Sequence, residues 1–158
     1  MRSADIERAL LDAASLKPEV AVLVLGTGAL ALGAHERVGD GGWVYVVRSQ
    51  VDELEELLTE AHSVGATGFA YLVGEAPVLP LPDGSVAAVV GRIATDDGAL
   101  AAAAEELARV LAAGGHVSFA EPDAAAGEEL ARALSGAGFV EVGVESAGEE
   151  AIVSGRLA

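Results

Sequence analysis

At 158 residues, with 52% hydrophobic and 22% charged residues, the chain has the make-up of one folded domain rather than of a disordered segment. Its formal net charge of −16, from 25 acidic and 9 basic residues, repels a phosphate backbone and speaks against a nucleic-acid partner; the acidity favours solubility. There is no cysteine, which excludes disulfides, thiolate metal sites and cysteine nucleophiles.

The N-terminus, MRSADIERALLDAA, is charged and lacks the apolar core of a secretory signal. Ile6, Ala9, Leu10 and Ala13 fall at helical spacing, so residues 1–17 hold a short amphipathic helix that Pro18 ends. VAVLVLG (Val20 to Gly26) is a short valine-rich run stopped by glycine, as expected of a strand covered on both faces. The uncharged stretch from Val20 to Ala34 is interrupted by Gly26, Gly28 and Gly33 and is shorter than the roughly 20 residues of a spanning helix. The expectation is a cytoplasmic protein with no membrane partner. A short helix is predicted from Ala29 to Arg37, a turn at Gly39 to Gly42, and a second strand from Trp43 to Val47, with Trp43 packing near the turn. Val51, Leu54, Leu58 and Ala61 line one face of an amphipathic helix that Gly65 closes.

A third strand spans Gly68 to Gly74, and LPLPDGS (Leu79 to Ser85) is a loop, because two prolines and Asp-Gly break any element. VAAVVGRIA is a fourth strand. Asp96 or Asp97 caps a long alanine-rich helix to Ala113, ended by Gly114 and Gly115, with Leu100, Ala104, Leu107 and Leu111 as its apolar stripe. HVSFA (from His116) is a fifth strand and Gly127 to Ala137 a helix. From Phe139 to Glu145 the valines Val140, Val142 and Val144 alternate with Glu141, Gly143 and Glu145, as in a half-exposed strand. AIVSGRL follows after the short loop SAGEE, so the last two strands form an antiparallel hairpin. Strands alternating with helices predict an α/β fold with a mostly parallel sheet and helices on both faces, in a single domain over 1–158 without repeat or linker.

Several segments together resemble one family. VLVLGTG is similar to the first motif of class I S-adenosylmethionine-dependent methyltransferases. GEAPVLPLPDGSVAAVV resembles their segment around the fourth strand, EELARVLAAGGHVSFAEPD the helix, turn and fifth strand, and GAGFVEVGV the entry to the sixth. The resemblance runs from about Leu16 to the C-terminus and is closest to the small-molecule branch of arsenite and menaquinone or sterol methyltransferases. It implies the α/β Rossmann-like three-layer sandwich, with a seven-stranded sheet and an antiparallel last strand. It also implies S-adenosylmethionine as cofactor, held by a glycine turn, an acid in the first strand, an acid ending the second strand and a polar residue after the third.

Carried onto this chain, the family pattern is met in part. Gly26 and Gly28, with Thr27 between them, keep two glycines of the turn; the third falls on Leu30, whose side chain crowds the space. The first-strand acid falls on Val24 and the ribose acid on Arg48, which donates but does not accept hydrogen bonds. Glu75, beside Ala76, stands where the family reads adenine, and Ala87 replaces an aspartate common after LPDGS. Each lost charge-assisted hydrogen bond is worth about 1.5–3 kcal/mol, so two losses weaken cofactor binding by roughly two to four decades.

The leading expectation is therefore a methyltransferase-like protein with a degenerate S-adenosylmethionine site, a non-catalytic module that meets a protein or small-molecule partner or forms a homo-oligomer. A second reading is an active methyltransferase acting on a small molecule through Gly26, Gly28 and Glu75. A third takes Gly26 to Ala31 as the G-x-G-x-x-A dinucleotide turn, with Arg48 holding the 2′-phosphate of NADP. For Arg48 the plainer alternative is a surface ion pair with Asp52 or Glu53. His35, His62 and His116 are far apart, so no metal site is expected. Arg92 and Asp96 lie beyond the fourth strand, where the resemblance places the substrate; for Asp96 a helix cap is the simpler role. With one short helix before the first strand, little chain is left for a lid over a large substrate.

Overall fold

The computed structural model describes residues 3–26, 28–48, 55, 59, 68–74, 78–93 and 99–158. Among them, in chain order, are α1 (Ser3–Ala13), β1 (Ala21–Leu25), α2 (Gly28–Val38), β2 (Trp43–Arg48), β3 (Phe69–Val73), β4 (Val86–Gly91), α3 (Leu100–Val110), β5 (Leu111–Glu121), α4 (Ala124–Gly136), β6 (Phe139–Ala147) and β7 (Glu150–Leu157). They build a seven-stranded sheet in the order β3-β2-β1-β4-β5-β7-β6. β1 to β5 pair in parallel, and β7 runs antiparallel between β5 and β6. Of the helix expected between Val51 and Gly65, Glu55 and Thr59 are described, and both are helical.

The central strands are apolar on both faces because helices cover both. On one face Ile6, Leu10 and Leu11 of α1 and Leu30, Ala34 and Val38 of α2 pack on Val22, Val24, Val46, Val90 and Ala120. On the other, Leu107 and Val110 of α3 and Leu130 and Leu134 of α4 pack on Leu23, Val89, Val117, Phe119 and Val153. Alternate residues of one strand thus feed two separate cores, the pattern a buried parallel strand requires. No helix among the described residues is long and apolar enough to cross a membrane.

Several local expectations are corrected. The alanine-rich helix stops at Val110 rather than Ala113, and Leu111 to Gly115 already belong to β5. Leu111 turns extended, pairs with Val86 and is 3% exposed, so burial in the sheet overrides the helix propensity of the alanines. His116 consequently lies inside β5, between Ala88 and Arg156, and does not open it. At the N-terminal end α3 has Ala99 in the capping position without a side-chain cap; Asp96 and Asp97 lie outside the described residues.

In β6 a bulge between Val140 and Gly143, with Glu141 at φ 56°, breaks the expected alternation. Val140 turns outward with Glu141, while Val142 and Val144 still face the core. Trp43, expected to pack, is 43% exposed and touches Tyr45 edge-on.

Candidate functional site

The parallel strands all end on one edge of the sheet, so Leu25, Arg48, Val73, Gly91 and Glu121 mark a common rim. Chain order reverses between β1 and β4: the chain leaves β1 for β2 and β3, then returns to β4 on the other side. In open α/β sheets the crevice at such a reversal is where ligands bind.

The two strand tips at the reversal are tightly joined. The Arg92 N–H donates to the Leu25 carbonyl at 2.7 Å. Gly91 has φ 139°, and a Cβ there would run into that same carbonyl, so the close approach needs glycine. Gly26 continues from β1, and Gly28 opens α2. A Cβ on Gly26 would lie 2.8 Å from Leu30 Cδ2, so the leucine at the family's third glycine fills the gap between α2 and the strand tip. Leu30 is 3% exposed and belongs to the α1–α2 core, and Val24 is fully buried in that core.

At the β2 tip, Arg48 pairs with Val73, and its carbonyl accepts from the Gly74 N–H at 2.9 Å. Its side chain is half-buried, and Nε has no hydrogen-bond partner among the described residues. Asp52 and Glu53, its expected ion-pair partners, lie outside the described residues, as do Thr27, Glu75, Ala76, Asp96 and His62.

On the far side of the reversal the rim is charged. Arg92, just past β4, donates to both carboxylate oxygens of Glu150 at the start of β7, at 2.9 and 3.2 Å. Beside this pair Glu121 ends β5, and it is 9% exposed. Burial pushes its carboxyl up to about 7; the nearby Arg92 charge opposes the shift and Asp123 adds to it. Asp123 caps α4 through a 2.8 Å bond from the Ala126 N–H. Sequence reading singled out Arg92 but missed Glu121. The signal was present in HVSFAEPD, where an acid directly follows an apolar strand and therefore sits at its tip.

The structure also gives physical content to the pairing of LPLPDGS with EELARV. Arg109 of α3 donates to the Leu79 and Leu81 carbonyls at 3.0 and 2.8 Å and to Asp83 at 2.8 Å. Glu106 accepts from Arg109 and, at 2.6 Å, from the Leu79 N–H. The Arg109 hydrogen bond holds the Glu106 carboxyl below the usual carboxylate range. This latch fixes the loop that feeds β4 and is architectural.

Ala87 sits near the start of β4, away from the rim, lining a cavity of about 150 Å³ at the opposite edge with Lys17 and His116. His35 stacks on Phe69 at 5.2 Å. No group of three or more histidine, cysteine or acidic residues suited to a metal occurs among the described residues.

No family model and no curated protein matches the sequence. Solved structures match it closely in shape. An S-adenosylmethionine-dependent methyltransferase from Aquifex aeolicus is 22% identical, with a TM-score of 0.81 over 98% of this chain and 90% of that one. Geranyl diphosphate C-methyltransferase from Streptomyces coelicolor A3(2), in complex with S-adenosyl-L-homocysteine, is 13% identical, with a TM-score of 0.81 over 98% and 76%. The [4+2]-cyclase SpnF is 16% identical, with a TM-score of 0.82 over 97% and 80%. The fold is the α/β Rossmann-like fold of S-adenosylmethionine-dependent methyltransferases. At these identities the likeness is one of fold.

Proposed function

We propose that this protein is methyltransferase-like with a degenerate S-adenosylmethionine site, and that it acts as a binding or interaction module for a small molecule or a protein. The observation that carries the reading is Arg48 at the tip of β2. A ribose there needs an acceptor, and a guanidinium offers donors only. Two further observations support it. Val24, at the family's first acid, is wholly buried among apolar side chains and has no acceptor for an ammonium group. Leu30 closes against Gly26 where the family leaves room. The residues described at the rim do not fit the cofactor. The neighbour SpnF is a [4+2]-cyclase, so the fold is not confined to proteins named as methyltransferases. A narrower placement in the arsenite or menaquinone branch rests on the sequence motifs, and without cysteine the arsenite reaction has no thiolate to work through.

Isothermal titration calorimetry with S-adenosylmethionine and S-adenosylhomocysteine tests the reading. A micromolar site weakened by two to four decades would have a Kd of roughly 0.1–10 mM. Micromolar binding of either ligand overturns it and favours the active enzyme, in which case Glu75→Ala should weaken that binding.

The unpartnered Nε of Arg48 favours a second reading, in which the guanidinium meets the 2′-phosphate of NADP. NADPH binding that loses its preference over NADH in Arg48→Ala would establish it.

A further inference from the structure

Glu121 is the anomaly on the rim. The residue is 9% exposed, and its carboxyl makes no hydrogen bond among the described residues while its oxygens keep access to solvent at the rim. A largely buried carboxyl that still opens on the rim, with its proton affinity raised by burial, marks a candidate functional group. The Arg92 charge offsets only part of the burial, and its guanidinium hydrogen bonds go to Glu150. Among the described residues, the charged groups that act on it are Arg92, just past β4, and Asp123 at the N-cap of α4, with Glu150 of β7 bonded to Arg92. Its place is the carboxyl end of β5, on the rim where this class of sheet binds ligands.

We propose that Glu121 is a general base, and that the β4–β5 side of the rim takes a proton from an acidified C–H of a small uncharged substrate. The carboxylate oxygen accepts the proton. The electron pair released at carbon forms a new π bond, and the bond to a leaving heteroatom breaks and carries the charge away. No oxidant, reductant or methyl donor is needed, so the activity is independent of S-adenosylmethionine. The substrate is uncharged because Glu121, Asp123 and Glu150 repel an anion, whereas a cation would pair with Glu121 and weaken it as a base. Arg92, half exposed beside the carboxylate, faces the developing negative charge. The near-neutral carboxyl suits the role, since a base works best when its affinity for protons matches the working pH.

The test uses 5-nitrobenzisoxazole, a neutral probe of carboxylate bases, with the full chain and no S-adenosylmethionine. Loss of its ring C–H proton to Glu121 forms a nitrile, breaks the N–O bond and releases 2-cyano-4-nitrophenolate, which is read by absorbance. The expected result is turnover above the buffer rate, with kcat/KM rising with pH through an inflection near 7. Glu121→Gln should lower it about a hundredfold, Glu121→Asp should keep part of it, and Glu128→Gln, at an exposed acid of α4, should leave it unchanged. Circular dichroism confirms that each variant is folded. No turnover above buffer, or equal turnover in wild type and Glu121→Gln, overturns the proposal. Because the assay contains no sulfonium ligand, its outcome is separate from that of the cofactor titration.

Discussion

Replacing Glu121 by Gln should stabilise the protein, and more so as pH rises. The folded carboxyl titrates at about 7 against a reference of 4.5, so between those values the folded state holds a proton that the unfolded state has released. Stability contributed by that proton is fully present below 4.5 and is lost as pH rises to about 7. The whole shift corresponds to about 3 kcal/mol, a ceiling for a group that keeps 9% exposure. Glutamine keeps the shape and the buried polar group but cannot ionise. Urea unfolding of both proteins at pH 5 and pH 8 isolates the effect, because the other acids titrate alike in both and cancel in the difference. The stability gain from Glu121→Gln should grow by about 2 kcal/mol between those two pH values, with unchanged m-values. A difference that stays constant across this range, or a variant less stable at pH 8, would refute the claim that burial dominates the site.

Gly91→Ala should destabilise by about 3 kcal/mol or more, read by urea unfolding, since the methyl meets the Leu25 carbonyl and φ is 139°. Asp123→Ala loses the cap of α4 and should cost about 1 kcal/mol at pH 5; at pH 8 the cost should be smaller, because removing a like charge relieves Glu121. Arg48→Asp restores an acceptor at the β2 tip and should tighten S-adenosylmethionine binding by about one to two decades in calorimetry. If that variant binds no better than wild type, Leu30 and Val24 close the site irrespective of Arg48.

The fold was legible because its main signal is local. Runs such as VAVLVLG and VAAVVG are apolar at every position, and only a strand covered on both faces uses all of them. The hairpin followed from a connection too short for a crossover. What failed locally was decided by tertiary pairing. The alanines after Val110 favour helix, but Leu111 gains more by pairing with Val86 and burying itself. The β6 bulge likewise has no mark in the alternation of Val140 to Glu145; it is visible only in the offset pairing with β7, where Arg156 bonds Glu141 at 3.3 Å.

The rim was half legible for a related reason. Residue type shows in a sequence, so Arg48 at a strand tip stood out as a donor where an acceptor is expected. Environment does not show. Glu121 is one of 25 acidic residues; the run HVSFAEPD shows that it ends a strand, but not that it is buried there. It becomes distinct only when β4, β7 and the start of α4 close around it and give the nearest guanidinium to Glu150. The two anomalies flank the same chain reversal, Arg48 on the β2 side and Glu121 on the β5 side. On the β2 side the changes remove acceptors for a cofactor; on the β5 side the chain keeps a carboxylate that costs stability at neutral pH. With Glu121 as the proposed base, the working half of the rim lies at β5 rather than at β2, and the two halves are tested separately by the elimination assay and the cofactor titration.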